Sequence, residues 1–197
     1  MGEKLSDAAL DTIFRAARTA NGYTDAPVTA ADCEAIWELM KWGPTSANQM
    51  PARLIWCLSQ DARNRLAAHA SGTNAAKIKA APAAVIVAMD ENFHEHLPDL
   101  FPHADAKSWF EGNVALRQTS AMRNATLQGA YFIIAARALG FDVGPMSGFN
   151  NASLDADFLA ATPHVKSNFI ATLGIADPAT IFPRSPRPAF DRFNSFA

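Results

Sequence analysis

Cysteine is scarce in this sequence. Cys33 and Cys57 are the only two, they lie in apolar surroundings, and they form no C-x-x-C pair, so a disulfide-stapled fold and a thiolate metal centre are excluded. Two buried thiols of a reducing compartment are the expectation, which places the protein in the cytoplasm and leaves the sequons at Asn124 and Asn151 without meaning. Excess charge of one sign is missing as well. The 17 Lys and Arg against 19 Asp and Glu give a formal net charge of -2, which offers no basic surplus to a phosphate backbone and argues against a nucleic-acid partner. Long hydrophobic runs are also absent. The longest, Ala83 to Met89, falls far below the roughly 18 residues of a membrane-spanning helix. Met1 to Ser6 lacks the apolar core of a secretory signal, and its loose N-myristoylation pattern, Gly2 with Ser6, is one that short sequences match by chance.

Familiar reaction motifs are absent too. No G-x-G-x-x-G fingerprint, Walker loop or H-E-x-x-H occurs, which removes the nucleotide folds and zinc enzymes those patterns report. Ser147 in Gly144-Pro145-Met146-Ser147-Gly148 stands one position too late for a nucleophile elbow. His94, His96 and His103 lie near Glu91, Glu95 and Asp99, but their spacing does not suit a helical metal site. A solvated polar segment and no metal are expected there.

What is present reads as one domain over residues 1–197, whose partners are small molecules or a second copy of the chain. Ser6 caps a helix from Asp7 to Ala20. Thr29 and Asp32 have the spacing of a capping box, opening a second helix that stops at Gly43-Pro44. The apolar stretches Leu54–Leu58, Ala83–Met89 and Asn168–Gly174 read as strands, the second central because both its faces are apolar. Helices are expected over 61–70, 74–80 and 151–161, and over Val114–Leu139, roughly 39 Å long and apolar all round in its second half. Gly144–Phe149 reads as a loop. This order suggests a three-layer α/β sandwich. Residues 90–112 are too long for an ordinary connection and are a candidate lid or binding segment.

The last stretch, 176–197, combines four prolines with Phe182, Phe190, Phe193 and Phe196. Proline forbids a continuous helix, and four phenylalanines are costly to leave in water, at about 25 cal/mol per Å². An extended arm laid over the parent domain or a second subunit resolves the conflict, and its length favours the second subunit.

The remaining polar elements are Arg18-Thr19, the loop Pro44-Thr45-Ser46-Ala47-Asn48, Asn74 with Lys77, the segment Gly144–Gly148, and Arg184 with Arg187. In this order, and over nearly the whole chain, they resemble the flavin-dependent nitroreductase family. The resemblance is nearest to a branch containing the malonic semialdehyde reductase of the pyrimidine-degrading Rut pathway. Ala17-Arg18-Thr19, Lys41 to Asn48, Leu100-Phe101-Pro102-His103 and Gly144 to Phe149 are similar to its signatures.

The resemblance implies an α+β, three-layer α/β/α fold with the C-terminal arm reaching a homodimer partner. It also implies FMN as cofactor and NADH or NADPH as hydride donor. Arg18, Thr19, Asn21, Arg184 and Arg187 would meet the FMN phosphate, where the planar guanidinium fork suits phosphate oxygens. Asn74 and Lys77 share one helix face and would meet the pyrimidine edge of the ring. Pro44, Thr45, Ser46 and Asn48 would cradle the ribityl chain. Pro145, Met146, Ser147 and Gly148 would bring main chain to the reactive N5, with Gly148 lacking the Cβ that would block the approach. Malonic semialdehyde would be reduced to 3-hydroxypropionate, with a general nitroreductase or quinone reductase as the other enzymatic reading and a non-catalytic flavin-binding protein as a third. Phe101, His103, Trp109 and Phe110 would line the substrate, and Arg53, His103, Lys107 and Arg117 are the donors available for its carboxylate.

Overall fold

The apolar run at Ala83 becomes the organising strand of the fold in a computed structural model that describes residues 2–197. Strand β1 (Ala52–Cys57) and β2 (Ala83–Asp90) pair antiparallel, and all eight residues of β2 are buried. On its other side β2 pairs with β4 (Val165–Gly174), and β3 (Asp142–Met146) adds to β4. The sheet order is β1-β2-β4-β3, every pair antiparallel. The expected central place of β2 is therefore correct.

Alternation along β2 builds two cores, because successive side chains of a strand point to opposite faces. Val85 and Val87 face Ile36 and Met40 of α2 (Ala30–Met40) and Phe132 of α6 (Val114–Ala138). Ala84, Ile86 and Ala88 face Leu66 of α3 (Gln60–Ala68), Ile78 of α4 (Asn74–Ala80) and Leu154 of α7 (Asn151–Phe158). With helices on both faces the sandwich has three layers. Each fully buried aliphatic or aromatic side chain stabilises it by about 1.5–3 kcal/mol relative to exposure. Cys33 and Cys57 are free and buried, one in each core, and burial pushes both thiols up to about 11.

The capping box on α2 forms as its spacing predicts: Thr29 Oγ1 accepts from the Asp32 amide, while the Asp32 carboxylate accepts from the Thr29 amide at 2.8 Å. The first helix is shorter than the expected 7–20. After α1 (Asp7–Leu10) it widens into a π-helical turn over Asp11–Arg15, closed by the Ala16 amide on the Asp11 carbonyl. Arg15 folds back on Asp7 and Asp11 at 2.9 and 2.6 Å, and the chain beyond is drawn away to the sheet. A second correction concerns 144–149: Gly144, Pro145 and Met146 are strand, the fourth of the sheet, and only the following residues are loop.

Residues 90–112 are folded rather than open. A 3-10 turn (Phe93–His96) and α5 (Leu97–Leu100) bury Phe93, Leu97, Ala106 and Phe110 against Ala121 and Ala125 of α6. Phe93 and Phe110 meet edge to face at 5.0 Å. The arm begins with a 3-10 turn (Pro178–Thr180), runs extended, and ends with the single turn α8 (Phe190–Phe193). Within one chain Phe182, Phe190, Phe193 and Phe196 remain 58–92% exposed. Among the described residues, no helix is long and apolar enough to cross a membrane.

Candidate cofactor site at the edge of the sheet

The site is built on the outer edge of β3. Thr19 bridges Val143 in parallel, the Ala20 amide donates to the Val143 carbonyl at 3.2 Å, and the Thr24 amide donates to the Ile175 carbonyl at 2.8 Å. Residues 19–24 thus lie along the sheet as a partial extra strand. Gly144 makes this possible: a Cβ there would stand 2.6 Å from the Ala20 carbonyl and 2.5 Å from Thr172 Oγ1. Tyr23 pins the segment by donating to Thr172 Oγ1 at 2.7 Å. Burial pushes its phenol well above the usual tyrosine range, so it stays protonated and a donor.

Docked this way, the segment turns Asn21 towards α4. Lys77 Nζ donates to Asn21 Oδ1 at 2.7 Å. One turn earlier on the same helix, Asn74 Nδ2 donates to the Gly148 carbonyl at 3.2 Å, and the Ser71 amide donates to that same oxygen at 2.9 Å. The structure therefore brings Asn21, Asn74, Lys77 and Gly148 together from three distant parts of the chain. The reason for Gly148 differs from the sequence expectation. A Cβ there would meet Asn74 Nδ2 at 2.7 Å and Ser71 Oγ at 3.0 Å, so within the chain the glycine admits α4.

A cleft of about 560 Å³ lies beside this cluster, lined by Arg18, Thr19 and Asn21, by Arg184 and Arg187 of the arm, and by Arg137 of α6. Arg184 Nη2 donates to the Arg15 and Ala17 carbonyls at 2.6 and 2.8 Å, and Arg18 donates to the Phe182 carbonyl. Arg187 bonds only the neighbouring Ser185 and Pro186 carbonyls. Arg137 is absent from the sequence-derived set. Its signal was a charge in the otherwise apolar second half of a core helix. Its Nη1 donates to the Ile13 carbonyl at 3.0 Å, its buried Nε has no partner among the described residues, and burial lowers its pKa, with Asp142 opposing the shift and Arg184 adding to it.

The loop Pro44–Asn48 does not join this cluster by any hydrogen bond among the described residues. The Ser46 amide donates to Asn124 Oδ1 at 2.8 Å, Tyr131 OH to the Pro44 carbonyl at 2.9 Å, and Asn48 Nδ2 to the Leu100 carbonyl at 2.8 Å. The Thr45 hydroxyl accepts from the Met50 amide at 3.2 Å. Ala47, Asn48 and Met50 hold positive φ of 47, 49 and 41°, strain that persists only where surroundings over-determine it. A buried polar stripe does so: Gln49 Oε1 accepts from Ser120 Oγ and Asn124 Nδ2, and Gln128 Oε1 from the Ala52 amide. None of these stripe residues stands out in a sequence, where mid-helix Ser and Asn read as surface.

The proposed substrate residues divide. Phe110 is core, not lining, because Phe93 and α6 enclose it. Phe101, His103 and Trp109 form an aromatic cluster, with ring centroids at 5.5 and 6.1 Å from Phe101. His94, expected in solvent, is buried, and burial lowers its pKa. Of the carboxylate donors, Arg53 is paired with Asp90 at 2.6 Å and Lys107 with Glu95 at 2.6 Å. Arg117 and His103 have no carboxylate partner among the described residues. No group of metal ligands assembles among those residues.

This α+β sandwich has the nitroreductase fold. The chain belongs to the Nitroreductase family, whose pattern matches residues 3–175. A relative from Xanthomonas oryzae pv. oryzae, named "Putative NADH dehydrogenase/NAD(P)H nitroreductase", is 56% identical over 196 residues, covering 100% of both chains. A relative of the same designation from Burkholderia lata is 57% identical over 187 residues, 95% of each chain. A crystal structure from Exiguobacterium sibiricum, ascribed to a nitroreductase in complex with FMN, superimposes with a TM-score of 0.85 at 17% identity, over 100% of both chains. A Bacillus subtilis structure ascribed to a nitroreductase gives 0.84 at 20%, over 98% of this chain and 100% of that one. The last two show the shared fold.

Gly144→Ala should expel the docked segment, because the added methyl meets backbone at Ala20. A loss of about 1–3 kcal/mol, or a Tm lower by roughly 2–12 °C, is expected, with faster hydrogen exchange at Ala20 and Thr24. Unchanged exchange at those two amides would contradict the assigned role.

Proposed function

We propose that this chain is an NAD(P)H-dependent oxidoreductase that holds FMN at the β3 edge and reduces a small electrophile, malonic semialdehyde, to 3-hydroxypropionate. The observation that carries the reading is the convergence of Lys77–Asn21 and Asn74–Gly148 beside a cleft in which Arg18, Arg137, Arg184 and Arg187 form no salt bridge among the described residues. The donor set fits the cofactor. Arg18, Arg137, Arg184 and Arg187 suit a phosphate, and the buried Arg137 Nε lacks any protein acceptor. Asn74 and Lys77 suit the polar edge of the ring.

Bound FMN would supply reversible hydride transfer, taking hydride from NADH or NADPH and giving it to the electrophile. The chain supplies position and charge. Lys77, oriented by Asn21, presents a fixed ammonium where negative charge develops on reduction, in surroundings that screen it less than water does. The aldehyde carbon of the semialdehyde would accept the hydride, and its oxygen would take a proton from water. Arg117 and His103 are the donors left for the substrate carboxylate, since Asp90 and Glu95 occupy the other two.

The semialdehyde is supported by the signatures at 17–19, 41–48, 100–103 and 144–149. The designations of the relatives at 56 and 57% identity favour a second reading, a general nitroreductase or quinone reductase. Steady-state turnover of the FMN-loaded protein with NADPH and with NADH, on the semialdehyde, a nitroaromatic and a quinone, tests both. The semialdehyde should give the highest kcat/KM; turnover confined to nitroaromatics and quinones would sink the substrate assignment.

Lys77→Met should fold normally while FMN affinity falls about tenfold or more, as for loss of a bond to a charged group. Fluorescence quenching and anaerobic stopped-flow reduction read this out, and wild-type values in both would remove Lys77 from the site. The four exposed phenylalanines of the arm support a homodimer in which the arm covers a second copy. Truncation after Ala176 should convert dimer to monomer in sedimentation; a truncated dimer would refute that role for the arm.

A further inference from the structure

The arginine cleft draws its charges from three parts of the chain. Arg18 comes from the docked segment, Arg137 from α6, and Arg184 and Arg187 from the arm. A fifth arginine at the cleft, Arg15, is neutralised by Asp7 and Asp11. The other four form no salt bridge among the described residues; the Asp142 carboxylate acts on Arg137 from beyond salt-bridge reach, and like charges still face one another across one cleft.

Beyond Ile181, the hydrogen bonds that tie the arm to the body are few. They are Arg18 to the Phe182 carbonyl and Arg184 to the Arg15 and Ala17 carbonyls. The remaining bonds of residues 182–197 stay inside the arm. Both body-to-arm links therefore use guanidinium groups of the cleft. Each guanidinium has five donors in a rigid fork, and these carbonyls take only part of them. Arg137 adds a fixed point beneath, anchored on the Ile13 carbonyl with Nε buried and unpartnered.

We propose that the cleft is a phosphate-operated clasp: a phosphomonoester among Arg18, Arg137, Arg184 and Arg187 is the counter-ion that holds the C-terminal arm on the body. Arg137 is then a phosphate-binding residue in its own right. The clasp rests on the flavin reading only for the source of the phosphate, FMN rather than a free ion. Without the anion, mutual repulsion of the arginines loosens the two links and the arm lifts.

Limited trypsin digestion of the full-length, FMN-free protein tests this. Within the arm, Arg184–Ser185 and Arg192–Phe193 are cleavable, whereas Pro188 protects Arg187. FMN should slow the cut after Arg184 about tenfold or more, millimolar inorganic phosphate should slow it too, and riboflavin should not. Arg137→Gln should abolish the phosphate protection and lower the ratio of riboflavin to FMN dissociation constants about tenfold, the equivalent of one charge-assisted bond. Arg137→Lys should restore part of it. If Arg137→Gln does not fold, Arg187→Gln carries the same measurement, since its bonds are to neighbouring carbonyls alone. A chain that binds FMN but is cut equally fast with and without it, or is protected equally by riboflavin, overturns the clasp and leaves the flavin reading standing. Protection by inorganic phosphate in a chain that ignores FMN would do the reverse.

Discussion

The molecule depends on one close approach, that of residues 19–24 to the edge strand β3. Gly144 removes the atom that would keep them apart, and Tyr23 locks the contact by its bond to Thr172. From that contact follow the position of Asn21 against Lys77, the turn that aims Arg18 at the arm, and one wall of the arginine cleft. The π-helical turn before it belongs to the same constraint. By adding a residue to its last turn the helix stops early, and the chain reaches the sheet instead of continuing over the surface.

Two kinds of polar group serve this architecture differently. Those facing the cleft include Arg18, Arg137, Arg184 and Arg187, which form no salt bridge among the described residues. Those under the loop at 44–50, Gln49, Ser120, Asn124 and Gln128, are buried and bond one another and main chain, while Nε2 of Gln49 and of Gln128 has no partner among the described residues. This second set is conformational, since an internal polar stripe bonded to main chain favours one backbone path. Three departures into positive φ within four residues are tolerable because that path is imposed from below.

Much of this was legible in the sequence, for identifiable reasons. The apolar run at 83–89, the capping box at Thr29 and the charge-poor long helix each obey a local rule, and each appears where the rule places it. Asn74 and Lys77 were readable because helical spacing alone puts them on one face. What escaped depended on distant contacts. Strand β3 holds two glycine or proline residues in five, a composition that reads as loop until β4 pairs with it. The early end of the first helix is decided by the sheet edge, and Phe110 is core because a remote helix covers it. Arg137 escaped because a single cation in the apolar half of a helix has no local rule to announce it.

Pro145 has a consequence of its own. It is the exposed residue of β3, has no amide hydrogen to offer a further strand, and is followed by the turn at Ser147. Upstream of it the same edge is taken by Thr19 and Ala20. Sheet growth by strand addition is therefore blocked along this border, so the protein is guarded there against the edge-to-edge polymerisation to which open β-sheets are prone. Strand addition to this sheet is left to its other border, β1.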